Sequence, residues 1–83
     1  MLYKVLIKLY VPEIDEIYEM YIPINKTVGE ISVSLTKLIN NITKVYPVRN
    51  NTRLLNRDTG QIYERDITIR ESDIRNGSQL IMY

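Results

Sequence analysis

Hydrophobic and polar residues alternate in two successive runs over the first 24 positions. In the first run, YKVLIKLYV, odd-numbered residues share one face and even-numbered residues share the other. A short acidic loop after Pro12 leads to the second run, IYEMYIPI. Two such runs predict a β-hairpin, and Pro23, which lacks an N–H group, places the second strand at a sheet edge. The predicted inward residues are Tyr3, Val5, Ile7, Leu9 and Val11, then Tyr18, Met20, Ile22 and Ile24.

The next segment, NKTVGEISVSLTKLINNITKVYP, has the spacing of an amphipathic helix. Thr27 and Glu30 match a capping box, and Pro47 follows the last turn. A lone helix after a hairpin normally covers the sheet, so we expect its apolar stripe to face the core, although such a stripe could bind a partner. The predicted stripe is Ile31, Leu35, Leu38, Ile42 and Val45, with Ser32, Thr36, Lys37, Asn40, Asn41 and Lys44 off it.

Shorter elements fill the second half of the chain. TRLLN predicts a short strand, DTG a turn, and QIY a possible very short strand. Thr68 and Glu71 match a second capping box around a single helical turn. Asn76 and Gly77 tolerate positive φ before the last strand, SQLIMY. We expect one domain over residues 1–83, with the order ββαβ(β)β.

Composition excludes most catalytic chemistry. The 83 residues contain no Cys and no His and carry a formal net charge of +1. Disulfides, thiolate chemistry and the usual acid–base residue are therefore missing, and no base is available to activate a hydroxyl. Glu13, Asp15 and Glu16 could chelate a cation, but they lack the glycine and spacing of a calcium loop and are better explained as solvated charges. We expect no enzyme and no catalytic, cofactor-binding or metal-binding residue.

The sequence also bears on location. No stretch approaches the roughly 20 apolar residues that a membrane span needs. The N-terminus carries Lys4 and Lys8 among its apolar residues and lacks a small-residue cleavage site, unlike a signal peptide. We expect a cytoplasmic protein without direct membrane insertion.

The order of elements resembles the ubiquitin-like β-grasp fold over essentially the full chain. IPINKTVGEIS is similar to that superfamily's capped helix start, and RLLNRDTGQIYERDITIRESDIRNGSQLIM is similar to its second half. The resemblance implies an α+β fold with a mixed four- to five-stranded sheet in the order 2-1-5-3, plus a short strand 4, packed on one main helix. It implies core positions at Leu54, Ile62, Ile69, Ile74, Leu80 and Met82.

Within this superfamily, the ending GQIY…DITIRESDIRNGSQLIMY is most similar to the bacterial YukD/EsaB group. These are small, tail-less ubiquitin-like proteins associated with type VII (WXG-type) secretion systems. The resemblance implies an accessory or regulatory component of such a system. It also implies that conjugation and sulfur carriage are absent, since the chain ends on the bulky Tyr83 where ubiquitin and the sulfur-carrier proteins of this fold carry a flexible tail ending in Gly-Gly.

The outer face of the predicted sheet is the candidate binding surface. If the odd residues of the first strand pack on the helix, the even residues face outward together with neighbours on the other strands. Contiguous exposed apolar groups usually mark a protein contact, and Tyr and Arg are favoured interface anchors. We expect this face to bind a secretion-system protein or a second copy of the chain. Its predicted residues are Leu6, Lys8, Tyr10, Arg53, Leu55, Ile81 and Tyr83, with Tyr21 beside them.

A basic stretch offers an alternative function. Lys44, Arg49, Arg53 and Arg57 follow one another without an intervening acid. A β-grasp domain could use Arg49, Arg53 and Arg57 to contact RNA phosphates. Four such cations would bind weakly and with strong salt dependence, so nucleic acid is the less favoured partner.

Overall fold

The computed structural model describes residues 3–83, so the first two positions of the predicted domain lie outside it. It contains four strands, one α-helix and a short 3₁₀ turn. The elements are β1 (Lys4–Val11), the 3₁₀ turn (Pro12–Ile14), β2 (Glu16–Pro23), α1 (Val28–Thr43), β3 (Leu54–Asn56) and β4 (Ser78–Met82).

The sheet is mixed, with the strand order β2-β1-β4-β3. β1 pairs antiparallel with β2 and parallel with β4, and β3 pairs antiparallel with β4. The predicted order is confirmed, with β4 in the place of the fifth strand, and β2 lies at an edge as Pro23 indicated. The expected short strand over QIY is reduced to one bridge between Ile62 and Leu55.

The alternation along β1 is confirmed by burial. Val5, Ile7, Leu9 and Val11 are at most 7% exposed and pack into the core beneath α1, whereas Tyr3, expected on the same face, is exposed. The other fully buried strand residues include Leu54, Leu80 and Met82, as the sequence predicted. The even residues of β1 therefore lie on the face of the sheet that points away from α1.

The predicted stripe of α1 is right in its first half and wrong in its second. Ile31 and Leu35 are buried, but Leu38 is 41% exposed and Ile42 is 57% exposed, and Val45 lies beyond the helix on the surface. The buried face instead continues through Ser32, Thr36 and Ile39. Two polar residues fit there because their hydroxyls bond backbone carbonyls: Ser32 Oγ donates to Val28 O at 2.8 Å, and Thr36 Oγ1 donates to Val33 O at 2.8 Å.

A second correction concerns the predicted core position Ile62. Its side chain is 50% exposed, while that of Tyr63 is 4% exposed. The bridge between Ile62 and Leu55 puts Ile62 beside an outward residue, and the Tyr63 N–H donates to Leu54 O at 2.9 Å. Because successive side chains of extended backbone point to opposite faces, Tyr63 takes the inward place.

Both predicted capping boxes are present. Thr27 Oγ1 accepts from the Glu30 N–H at 3.1 Å, and Glu30 Oε1 accepts from the Thr27 N–H at 3.1 Å. Thr68 and Glu71 repeat the arrangement at 2.9 and 3.2 Å. Before β4, Gly77 has φ +89°, which glycine adopts without steric cost. Within residues 3–83, no helix is both long enough and apolar enough to cross a membrane.

Candidate protein-interaction surface

A continuous line of apolar side chains crosses the outer face of the sheet. Strand pairing aligns Tyr10 with Ile17 on one side and with Ile81 on the other, and Ile81 with Leu55. The bridge from Leu55 to Ile62 extends the line beyond β3. Since neighbouring strands lie about 4.8 Å apart, the line spans roughly 19 Å. We call these five residues the apolar row: Ile17, Tyr10, Ile81, Leu55 and Ile62.

Tyr10 is held in place within the apolar row by two neighbours. Its hydroxyl donates to Asp15 Oδ1 at 3.0 Å, and the Arg57 guanidinium carbon lies 5.6 Å from its ring centroid. Asp15 reaches this position because it adopts a left-handed conformation, φ 50°, at the end of the 3₁₀ turn. The hydrogen bond to Asp15 raises the pKa of the Tyr10 phenol above its ordinary value. Tyr10 therefore presents a neutral ring with a restricted orientation.

Tyr83 and Arg53 extend the surface at the end of β3 and β4. Their backbones exchange two hydrogen bonds, at 2.9 and 3.1 Å. The Arg53 guanidinium carbon lies 5.9 Å from the Tyr83 ring centroid, within the range of a cation–π contact. Tyr83 remains 48% exposed, so this stacked pair is available to a partner.

The expected single apolar surface is divided by polar side chains. Lys8 pairs with Glu19 on β2 and with Gln79 on β4, and these three form a polar row across the sheet. Leu6 and its neighbour Tyr21 lie on the far side of that polar row. The continuity predicted from sequence is therefore wrong for Leu6 and Tyr21, because alternating outward positions on β1 bring Lys8 between Leu6 and Tyr10.

The positions predicted from sequence are otherwise found on the outer face, and their role in binding stays a prediction. Tyr10, Leu55 and Ile81 are half-buried members of the apolar row, and Arg53 and Tyr83 adjoin it. Two members were missing from the predicted site. Ile17 could have been found from its alternation with Tyr18, whereas Ile62 depends on a bridge that the sequence does not define.

The predicted basic edge is split between two places. Arg53 and Arg57 lie at the outer face over tyrosine rings. Arg49 lies beside α1, where its N–H donates to Thr36 Oγ1, and its side chain forms an ion pair with Glu13 at 2.8 Å. The Arg49 guanidinium also lies 5.0 Å from the Tyr46 ring. Glu13 and Asp15 thus have partners within the protein, and residues 3–83 contain no group of three acidic side chains suited to a metal ion.

No protein-family model matches the sequence, and no curated protein matches it. Solved structures do match. A chain of a toluene 4-monooxygenase HD complex with the inhibitor 4-bromobenzoate is 14% identical, with a TM-score of 0.78 and 95% coverage of both chains. Ubiquitin from Caldiarchaeum subterraneum is 19% identical over 95% of this chain and 90% of its own, with a TM-score of 0.66. The protein has the ubiquitin-like fold.

A third similar structure is a chain of the MycP5-free ESX-5 inner membrane complex. It is 17% identical with a TM-score of 0.81 and covers 99% of the present chain. The present chain spans 21%, about a fifth, of that much longer chain. At these identities the likeness concerns the ubiquitin-like fold, and it does not assign a subgroup.

Proposed function

We propose that this ubiquitin-like protein is a non-enzymatic interaction module that binds a protein partner through the outer face of its sheet. One observation carries the proposal: the apolar row crosses all four strands, and no other element within residues 3–83 lies over it. Ile17 is 56% exposed and Ile62 is 50% exposed, one at each end of the row. Exposed apolar groups that are contiguous over such a length usually mark a protein contact.

The charges around the apolar row define the partner's chemistry. Three cations lie beside the row: Lys8, Arg53 and Arg57. They outnumber the two nearby acids, Glu19 in the polar row and Asp15, which accepts a hydrogen bond from the Tyr10 hydroxyl. A complementary surface would therefore combine apolar side chains with carboxylates. The tyrosines contribute large rings whose orientation is already restricted, which lowers the entropy lost on binding. Tyr and Arg are also the residue types that dominate interface energies.

The biological setting we propose is a type VII (WXG-type) secretion system, in which the protein acts as a cytoplasmic accessory or regulatory component. Two findings support this setting. The ending of the chain resembles the YukD/EsaB group, and a chain of the ESX-5 inner membrane complex shares the fold. The absence of His and Cys from the sequence supports a role in binding rather than in catalysis.

The proposal is tested by charge substitutions on two faces of the same molecule. Leu55→Asp with Tyr83→Asp alters the outer face, and Leu38→Asp with Ile42→Asp makes the matched change on the exposed flank of α1. In a bacterium with the secretion system, we expect only the first pair to abolish co-purification of secretion-machinery proteins and to reduce export of WXG-type substrates. Equal capture and export by both variants would refute the outer-face assignment.

A crosslinking experiment separates the surface from the biological setting. A photoreactive amino acid at position 81 should form an adduct with a secretion-machinery protein, while the same group at position 42 should not. An adduct with an unrelated protein would support the outer face as the binding surface and refute the secretion role. An adduct with a second copy would show that the face forms a homodimer. Thermal unfolding of each variant shows whether the fold is retained.

A further inference from the structure

A pocket of about 400 Å³ lies where β1 begins and β2 ends, away from the apolar row. Its volume falls in the range of small-molecule sites. Val5 and Tyr10 are five residues apart on β1, so the pocket and the apolar row are separated by roughly 17 Å along the strand. Its lining consists of Val5, Ile24, Arg70, Ile74, Arg75 and Asn76.

The walls of this pocket are fixed by hydrogen bonds. The Arg70 N–H donates to Ile24 O at 2.9 Å, which ties one side of the pocket to the end of β2. Asn76 Oδ1 accepts from the Leu6 N–H at 2.7 Å, and the Gly77 N–H donates to Leu6 O at 2.8 Å. The segment from 70 to 77 is thus fastened at both ends, and the pocket is formed before any ligand arrives.

Neither arginine of the pocket forms an ion pair with a carboxylate of residues 3–83. Among the described residues, the ion pair that forms joins Arg49 to Glu13. The acids next to the pocket arginines in sequence bond elsewhere: Glu71 Oε1 accepts from Thr68, and Asp73 Oδ1 accepts from the Tyr63 hydroxyl. Arg75 is also anchored, since its Nη1 donates to Ser72 O and Ile74 O, each at 2.7 Å.

We propose that this pocket binds a small carboxylate that carries an apolar group. Arg70 and Arg75 supply positive charge at the rim, where charge-assisted hydrogen bonds to a carboxylate are strong. The side chains of Val5, Ile24 and Ile74 supply an apolar floor for the rest of the ligand. A medium-chain alkanoate has both features. This site is independent of the protein-binding role proposed for the outer face.

The test is a titration of the isotopically labelled protein with octanoate, followed by backbone amide NMR. We expect saturable shifts at Val5, Ile24 and Ile74, and no saturable shifts with acetate or with the neutral analogue octanamide. Shifts of equal size with octanamide would refute the charge recognition. The absence of shifts with octanoate, or shifts confined to the apolar row, would refute the site.

Arginine variants provide the second arm. Arg70→Gln combined with Arg75→Gln should weaken octanoate binding at least tenfold, whereas Arg53→Gln combined with Arg57→Gln, an equal loss of charge on the outer face, should not. Loss of the Arg75 hydrogen bonds could impair folding. In that case Arg70→Gln alone tests the site, because the Arg70 side chain makes no hydrogen bond within residues 3–83. Unchanged affinity in that variant would overturn the proposal. Tighter binding of a peptide with an apolar C-terminal residue would reassign the pocket to polypeptide termini.

Discussion

Thr36 and Thr52 are both buried, but they differ in what their hydroxyls contact. Thr36 Oγ1 accepts from the Arg49 N–H and donates to Val33 O, which ties the connection after α1 to the helix. Thr52 is 1% exposed, and its hydroxyl has no hydrogen-bond partner within residues 3–83. A buried polar group without a partner destabilises the folded state, whereas a satisfied one contributes to it.

Valine substitutions at these two threonines should therefore have opposite effects. We expect Thr52→Val to raise the free energy of unfolding by about 1 kcal/mol, because it removes an unpaired hydroxyl with little change in shape. Thr36→Val should lower it by about 1–3 kcal/mol, because the Arg49 N–H loses its acceptor. Urea denaturation of both variants and the original protein measures the difference. A loss of stability in Thr52→Val would contradict the prediction.

The buried phenol of Tyr63 predicts alkaline instability. Burial and the hydrogen bond that its hydroxyl donates to Asp73 Oδ1 at 2.6 Å raise the pKa of Tyr63 to about 12, against 10.0 for a free tyrosine. The folded state therefore favours the neutral phenol. The resulting stability is fully present below pH 10 and is lost as the pH rises toward 12.

Comparison with Tyr63→Phe isolates this contribution. The free energy of unfolding of the original protein should fall by on the order of 2 kcal/mol more than that of the variant between about pH 9 and about pH 12. Urea denaturation across this pH range makes the comparison. All other side chains are the same in the two proteins, so their contributions cancel in the comparison. Parallel pH profiles for the two proteins would contradict the raised pKa.

At the scale of the elements, the helix depends on its N-terminal capping box. Thr27→Ala removes the acceptor for the Glu30 N–H and should lower the free energy of unfolding by about 1 kcal/mol. Ser34→Ala, an equally small change on the exposed side of α1, is the control and should have little effect. Thermal unfolding measures both. Similar melting temperatures for the two variants would show that the box is dispensable.

Local patterns predicted the elements well because they act within one strand or one helix. The alternation along β1 and the two capping boxes are interactions between residues close in sequence, and all are present. The buried face of α1 could not be chosen reliably, since two overlapping apolar stripes share Ile31 and Leu35. The sheet buries the stripe with Ile39 and leaves Ile42 exposed. That stripe can include Ser32 and Thr36 because their hydroxyls bond helix carbonyls.

The candidate surface was only partly predictable for a related reason. Alternation alone places Tyr10, Leu55 and Ile81 on the outer face, but which of them become neighbours depends on the register between strands. That register is set by turns and by packing over the whole sheet. The register aligns Tyr10 with Ile17, and it leaves Leu6 separated from the apolar row by Lys8.

At the scale of the whole molecule, positive charge is concentrated in sequence but divided in space. Residues 31–57 contain five cationic side chains and no acid. The fold separates them, since Arg49 pairs with Glu13 beside α1 while Arg53 and Arg57 lie at the outer face. The arrangement therefore favours contacts with single acidic groups next to apolar side chains. It does not favour binding of a polyanion along one extended basic surface.

This division gives a prediction for the RNA alternative. Three arginines acting on phosphates of single-stranded RNA would give a slope of log affinity against log salt of roughly −2. Because Arg49 is already paired and the outer face offers two stacked arginines, we expect no salt-dependent binding at micromolar protein. Fluorescence anisotropy with a short labelled RNA from about 50 to about 200 mM salt makes the measurement.

The RNA experiment also has a matched control. One informative result is RNA binding with a salt slope near the value for three phosphates that is lost in Arg53→Gln with Arg57→Gln and kept in Arg70→Gln with Arg75→Gln. That result would favour a nucleic-acid surface over the protein-binding one. Binding lost equally in all variants would reflect the overall charge alone. Since the whole chain carries a net charge of only +1, neutralising any two arginines makes it acidic, so a site-specific loss is the informative result.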